Sequence, residues 1–154
     1  GLRTAGLSRT GRPVAGFESV LPFARAGEVL PGTDWLVAVL PGTPATRHLL
    51  DGAMLDRLPP HAVLVNVGRA TTLDHDALCA RLRAGRLRGA VLDVLPEEPL
   101  PPHSPLWDTP GLRITPHVAA PSLVDAIVRS FRDNRERFLR GAPLSGEVDP
   151  ARGY

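Results

Sequence analysis

Apolar residues in this chain fall into short runs separated by turn formers and by stretches with helical spacing. The clearest run is residues 62–67, where Ala62, Val63, Leu64, Val65 and Val67 are interrupted only by Asn66. Such near-continuous apolarity, rich in β-branched residues and too short for a typical helix, predicts a parallel strand covered on both faces. The same reading gives strands at 3–8, 35–40, 90–93 and 112–115.

Helical spacing lies between them. Over residues 49–58, Leu50, Met54 and Leu58 share a face, and Pro59-Pro60 stops the pattern. Over 74–84, Asp74 can cap the start, Leu78 and Leu82 share a face, and Gly85 is placed to end the helix. A short helix interrupted by Pro22 is expected over 20–26, and the proline-rich stretch 96–105 must be a loop. The last element, 122–140, carries an apolar stripe of Val124, Ile127, Val128, Phe131 and Phe138. Strands alternating with helices predict an α/β fold with a doubly wound, Rossmann-like parallel sheet. Right-handed crossovers then bring the strand ends to one side.

Composition changes this picture little. The chain has 154 residues, 43% of them hydrophobic and 22% charged, which is ordinary for a globular domain. All its basic residues are arginines, yet the formal charge is only +2, too small to imply nucleic acid as a partner. The arginines of 122–140 are spaced i,i+4 from acids (Arg129/Asp133, Arg132/Glu136, Asp133/Arg137, Glu136/Arg140), the pattern of a self-neutralised solvated face. Cys79 is the only cysteine, so neither a disulfide framework nor a thiolate metal cluster is available. No membrane-length apolar run or signal peptide is present, and the expected location is cytoplasmic.

The candidate chemistry sits at the strand ends. Arg69 follows Gly68 directly after the 62–67 strand, where a guanidinium can grip a carboxylate with two parallel bonds. Asp93 closes the 90–93 strand, with Glu97 and Glu98 in the loop beyond it, and His117 follows the 112–115 strand. A histidine oriented by a carboxylate can work as a proton donor near neutral pH. With an arginine for a substrate carboxylate, the set suits reduction of a 2-oxo acid by a nicotinamide. Ser8 and Arg9, after the first strand, offer a hydroxyl and a guanidinium rather than the acid that reads the ribose of NAD, which suits the extra phosphate of NADP. Each residue also has a structural reading: a turn arginine, a hydrogen-bonded histidine, solvated glutamates. Thr43 and Thr46 can equally cap a helix or meet a ligand over the sheet edge. Convergence of three strand ends on one chemistry favours the functional set.

In the segments LPGTPAT, NVGR, DVLPEEPLP and ITPHVA, by order and spacing, the chain resembles the D-2-hydroxyacid dehydrogenases. The likeness runs from about Leu2 to Tyr154. SPLWDTPGLRITPHVAAPS and the terminal GEVDPARGY are most similar to the glyoxylate/hydroxypyruvate reductase A branch. The resemblance implies Arg69 as the substrate-binding arginine, His117 as the acid/base and Glu98, which directly precedes Pro99, as its carboxylate partner. It implies Asp93 near the nicotinamide carboxamide and Leu40, Pro41, Thr46, Val67 and Gly68 along the cofactor. Arg9 would stand by the 2′-phosphate, with NADPH preferred and NAD as the alternative. A small 2-oxo or 2-hydroxy acid is the implied substrate and a homodimer the implied assembly.

The chain departs from the family pattern at Ala70, where glycine is usual, and at Leu95, where phenylalanine is usual. The family's G-x-G-x-x-G loop, with its strand and helix, is not in the sequence, which opens on Gly1-Leu2-Arg3. The expectation is therefore a partial dinucleotide-binding domain over 1–121, lacking its first strand. Residues 122–154 would be the helix and tail that in the family return to the substrate domain. The competing reading is a non-catalytic remnant serving as an interaction module.

Overall fold

The computed structural model describes residues 1–151. Among these described residues, six parallel-paired strands form two sheets. The larger is β3-β4-β5-β6, formed by β3 (Trp35–Ala38), β4 (Val63–Asn66), β5 (Gly89–Leu92) and β6 (Leu112–Ile114). The smaller pairs β1 (Ala5–Ser8) with β2 (Ser19–Pro22). The helices are α1 (Gly52–Leu55), α2 (His75–Arg83) and α3 (Val124–Leu139).

Register aligns Leu36, Leu64, Ala90 and Leu112 across the larger sheet, and likewise Ala38, Asn66, Leu92 and Ile114. These residues point to the face on which Leu55, Leu58, Leu78, Cys79 and Leu82 pack, and Leu64, Leu78 and Leu92 are fully buried there. The two sheets share this core, since Leu7, Phe23, Ala26 and Leu30 join the same cluster. The opposite face is open: Trp35, Val37 and Val39 are exposed, and Val63, Val65 and Val67 only half-buried. Burial along β4 thus alternates where the sequence predicts a strand covered twice, because the described helices packed in the core lie on one side of the sheet.

Two other expectations are corrected. The segment 20–26 does not begin as a helix. Residues 19–22 pair in parallel with β1, and the chain becomes a 3-10 helix only at Phe23–Glu28. Proline at 22 lacks an amide donor and is tolerated as the last residue of an edge strand. The helix expected over 49–58 shrinks to α1, because Leu50 instead bridges to Leu73 and Asp51 caps the helix by accepting the Met54 amide. α2 has the caps read from the sequence: Asp74 accepts from the Ala77 amide, and Gly85 takes a φ of +65° just past the end. α3 forms with none of its residues buried, and its stripe of Val124, Ile127, Val128, Phe131 and Phe138 faces outward. Of the four i,i+4 pairs read on it, the described residues form one, Arg140 with Glu136 at 3.5 Å. The tail turns back on α3 through Asn134, which bonds both the amide and the carbonyl of Ser145. Residues 152–154, the end of the GEVDPARGY segment, lie outside the described residues.

Candidate active site

Parallel register delivers four chain segments to one edge. The Val67 amide donates to the Ala38 carbonyl, the Asp93 amide to that of Asn66, and the Thr115 amide to that of Leu92. Each strand therefore hands its next residue to the same rim, and that rim carries the candidate chemistry.

The Arg69 turn is built by residues on both sides of it. Asn66, wholly buried, accepts the Gly68 amide on Oδ1 and donates through Nδ2 to the Arg69 carbonyl at 3.3 Å. The Thr72 hydroxyl donates to the same carbonyl at 2.7 Å. Gly68 is obligatory: a Cβ there would lie 2.6 Å from the Leu40 carbonyl oxygen and 2.7 Å from its amide nitrogen. Residues 39–40 and 67–68 therefore touch backbone to backbone, which brings Leu40, Val67 and Gly68 together. Ala70 is buried and absent from the positive-φ positions, so the turn takes it where the family uses glycine. The Arg69 side chain is exposed and donates from one guanidinium nitrogen to the Gly68 carbonyl at 2.8 Å, leaving its other donors open to an anion.

The loop 40–46 closes over this turn. A Cβ on Gly42 would meet the Thr71 hydroxyl and the Arg69 stem at 3.2–3.4 Å. The Thr46 hydroxyl is committed inside the loop, donating to the Pro41 carbonyl at 2.6 Å and accepting from the Thr43 amide. Thr43 and Thr46 form the capping box of the short 3-10 helix Pro44–Thr46. Their capping role is thus visible in the structure.

On the other side, His117 Nδ1 donates to Glu98 Oε2 at 2.9 Å, and Glu98 Oε1 accepts the Leu95 amide at 2.9 Å. The partner is Glu98, not Glu97. The His117 hydrogen bond and then the Leu95 amide hold the Glu98 carboxyl below its ordinary range. With Nδ1 engaged, Nε2 is the nitrogen left to exchange a proton, and about half of the imidazole is exposed. Asp93 is buried, and burial opposes its charge. The Thr115 hydroxyl, the Val118 and Ala119 amides and the nearby His117 outweigh that, so its carboxyl is also held below the usual range.

Ser8 accepts the Gly11 amide at 3.0 Å, forming the turn after β1. Arg9 is exposed and has no ion-pair partner among the described residues. The residues that sequence reasoning missed are the turn builders Asn66 and Thr72, and Thr115 beside Asp93. N-x-G at a strand end was a readable signal for the first; counting register across β5 and β6 would have found Thr115.

Residues 1–119 match the NAD-binding domain of the D-isomer specific 2-hydroxyacid dehydrogenases. The chain belongs to this family. A glyoxylate/hydroxypyruvate reductase A from Klebsiella pneumoniae (strain 342) is 40% identical over 131 residues, 85% of this chain and 42% of that protein. The NADPH-dependent glyoxylate/hydroxypyruvate reductase of Sinorhizobium meliloti, solved with NADP and sulfate, superposes with a TM-score of 0.91 at 36% identity, covering 100% of this chain and 50% of that one. A family member from Xanthobacter autotrophicus Py2, solved with NADPH and MES, gives 0.90 at 37% identity over 97% of this chain and 62% of that one. This 2-hydroxyacid dehydrogenase chain therefore spans about half the length of the relatives it matches. No helix among its described residues is long and apolar enough to cross a membrane.

Proposed function

We propose that these residues serve an NADPH-dependent reduction of a small 2-oxo acid of the glyoxylate or hydroxypyruvate type. The observation that carries the reading is the His117–Glu98 pair on the same strand-end rim as the exposed Arg69. Arg69 holds the substrate carboxylate. Glu98 fixes the ring of His117, whose Nε2 gives a proton to the carbonyl oxygen as it gains charge. A bound reduced nicotinamide supplies the hydride.

The residues present fit that cofactor at its two ends. Arg9 has free donors for a 2′-phosphate. Asp93 Oδ1 already accepts from Thr115 and Val118 and Oδ2 from Ala119, so Oδ2 keeps one acceptor position for a carboxamide. Leu40, Pro41, Thr46, Val67 and Gly68 would line the path between. A pyrophosphate cradle of the G-x-G-x-x-G kind is not among the chain's residues. In this reading residues 1–121 are the nucleotide-binding part, and 122–154 belong with a substrate domain that covers the apolar stripe of α3. The working protein is a cytoplasmic homodimer.

The test is a chimera in which this chain replaces the matching segment of the Klebsiella pneumoniae reductase. The chimera should reduce glyoxylate with NADPH, and His117→Ala within it should lower kcat by roughly 100- to 10,000-fold. Turnover unchanged by that substitution would overturn the assignment. Arg9→Asp should shift kcat/KM toward NADH, since a charge-assisted bond to phosphate is worth about 1.5–3 kcal/mol. An unchanged ratio would remove Arg9 from the cofactor site.

A further inference from the structure

His117 has a backbone φ of +55°, in the left-handed region that a side-chain-bearing residue rarely adopts. Something must hold it there. The Asp93 carboxylate grips the chain on both sides of it. Before His117, the Thr115 hydroxyl donates to Asp93 Oδ1 at 2.5 Å. After it, the Val118 amide donates to Oδ1 at 3.0 Å and the Ala119 amide to Oδ2 at 2.9 Å. The loop is thereby pinned at three points to a residue that is itself anchored in the sheet, through the Asp93 amide to the Asn66 carbonyl. The His117 amide turns inward to the Thr115 carbonyl at 3.0 Å.

We infer that Asp93 and Thr115 form a clasp whose role is to hold His117 in this backbone conformation and so to aim Nδ1 at Glu98. Thr115 is then a positioning residue. Its hydroxyl is the only side-chain donor among the three, and it sets where the carboxylate sits. Without that bond Asp93 Oδ1 keeps one donor, the loop gains freedom at its β6 end, and the imidazole no longer meets Glu98 in a fixed geometry. The catalytic meaning of the clasp rests on the proton-donor reading of His117; the clasp itself does not.

The readout is the titration of Glu98, followed by carbon NMR of its side-chain carboxyl in the 154-residue chain, without substrate or cofactor. The charges that act on it are those of His117 and Asp93. In wild type Glu98 should titrate below an ordinary glutamate, and His117→Gln should move it up. Thr115→Val, which keeps the shape and removes the donor, should move it up by a comparable amount, and Thr115→Ser should restore it. Thr115→Ala, which removes the same donor without changing any charge near Glu98, is the second variant, judged the same way if Thr115→Val loses its dispersed amide spectrum. The clasp is overturned if Glu98 moves with His117→Gln but stays put in the clasp variants, or if it ignores His117→Gln altogether. Neither result depends on reductase turnover in the chimera, so loss of the functional reading and loss of the clasp are separate outcomes.

Discussion

α2 and α3 are both amphipathic on sequence, and α3 has the longer apolar stripe. Yet α2 buries Leu78, Cys79 and Leu82, while α3 buries none of its residues, with Phe131 71% and Phe138 73% exposed. The pattern of a helix says that one face prefers to leave water; it does not say what will cover it. α2 is joined to its neighbours by a polar anchor as well. Arg81 reaches from α2 to α1, pairing with Asp56 at 2.6 Å and donating to the Gly52 carbonyl. For α3 the described residues supply only its own tail, through Asn134 and Arg137.

Truncating one apolar side chain on each helix separates the two most strongly. Leu82→Ala should destabilise the chain by about 2–5 kcal/mol, the usual range for a buried leucine. Phe131→Ala should stay within about 0.5 kcal/mol, as for an exposed position. Urea unfolding of the two variants decides it. Equal losses would mean that α3 is packed in solution against something the chain itself provides.

A smaller effect asks whether the ordered end of the sheet is held by charge as well as by apolar packing. The Asp93 carboxyl is depressed in the folded chain, so its stabilisation is present above the ordinary carboxylate range and lost as pH falls through the folded value. Asp93→Asn should therefore be less stable at neutral pH and show a shallower acid decline. Urea midpoints between pH 2 and 7, roughly spanning carboxylate titration, would reveal this. Parallel curves for variant and wild type would show that Asp93 contributes no such linkage.

The smallest effect concerns His48, which has a φ of +48° in the turn before α1. Glycine takes that conformation without the Cβ clash, so His48→Gly should raise stability by up to about 1 kcal/mol after its greater unfolded-state freedom is counted. A lower melting temperature would show that the His48 side chain contributes more than the backbone strain costs.

Much of the fold was legible because the strands are short apolar runs whose period and flanking turns are local properties. β2 was not, since its extended conformation is fixed by register with β1, and Pro22 argued only against a helix interior. α1 came out short for the same reason: Leu50 fits a helical stripe, but its backbone is claimed by Leu73. The open side of the sheet was likewise invisible, because an apolar run does not reveal which of its faces receives a neighbour. At the candidate site, Arg69, Asp93 and His117 could be picked out as strand-end residues. Contacts that cross between strands, such as Thr115 to Asp93 and Asn66 to the Arg69 carbonyl, require the register before they can be seen.

The close approach at Gly68 also limits how this site could be re-engineered. Any side chain at that position would push into the Leu40 peptide and separate two neighbouring strand exits. A mutagenesis library meant to alter what Arg69 binds should keep codon 68 fixed. Its diversity belongs at Arg69 itself and at Thr71, the exposed residue beside the Gly42 turn. The route to a new substrate range is narrow at its centre and open at its margin.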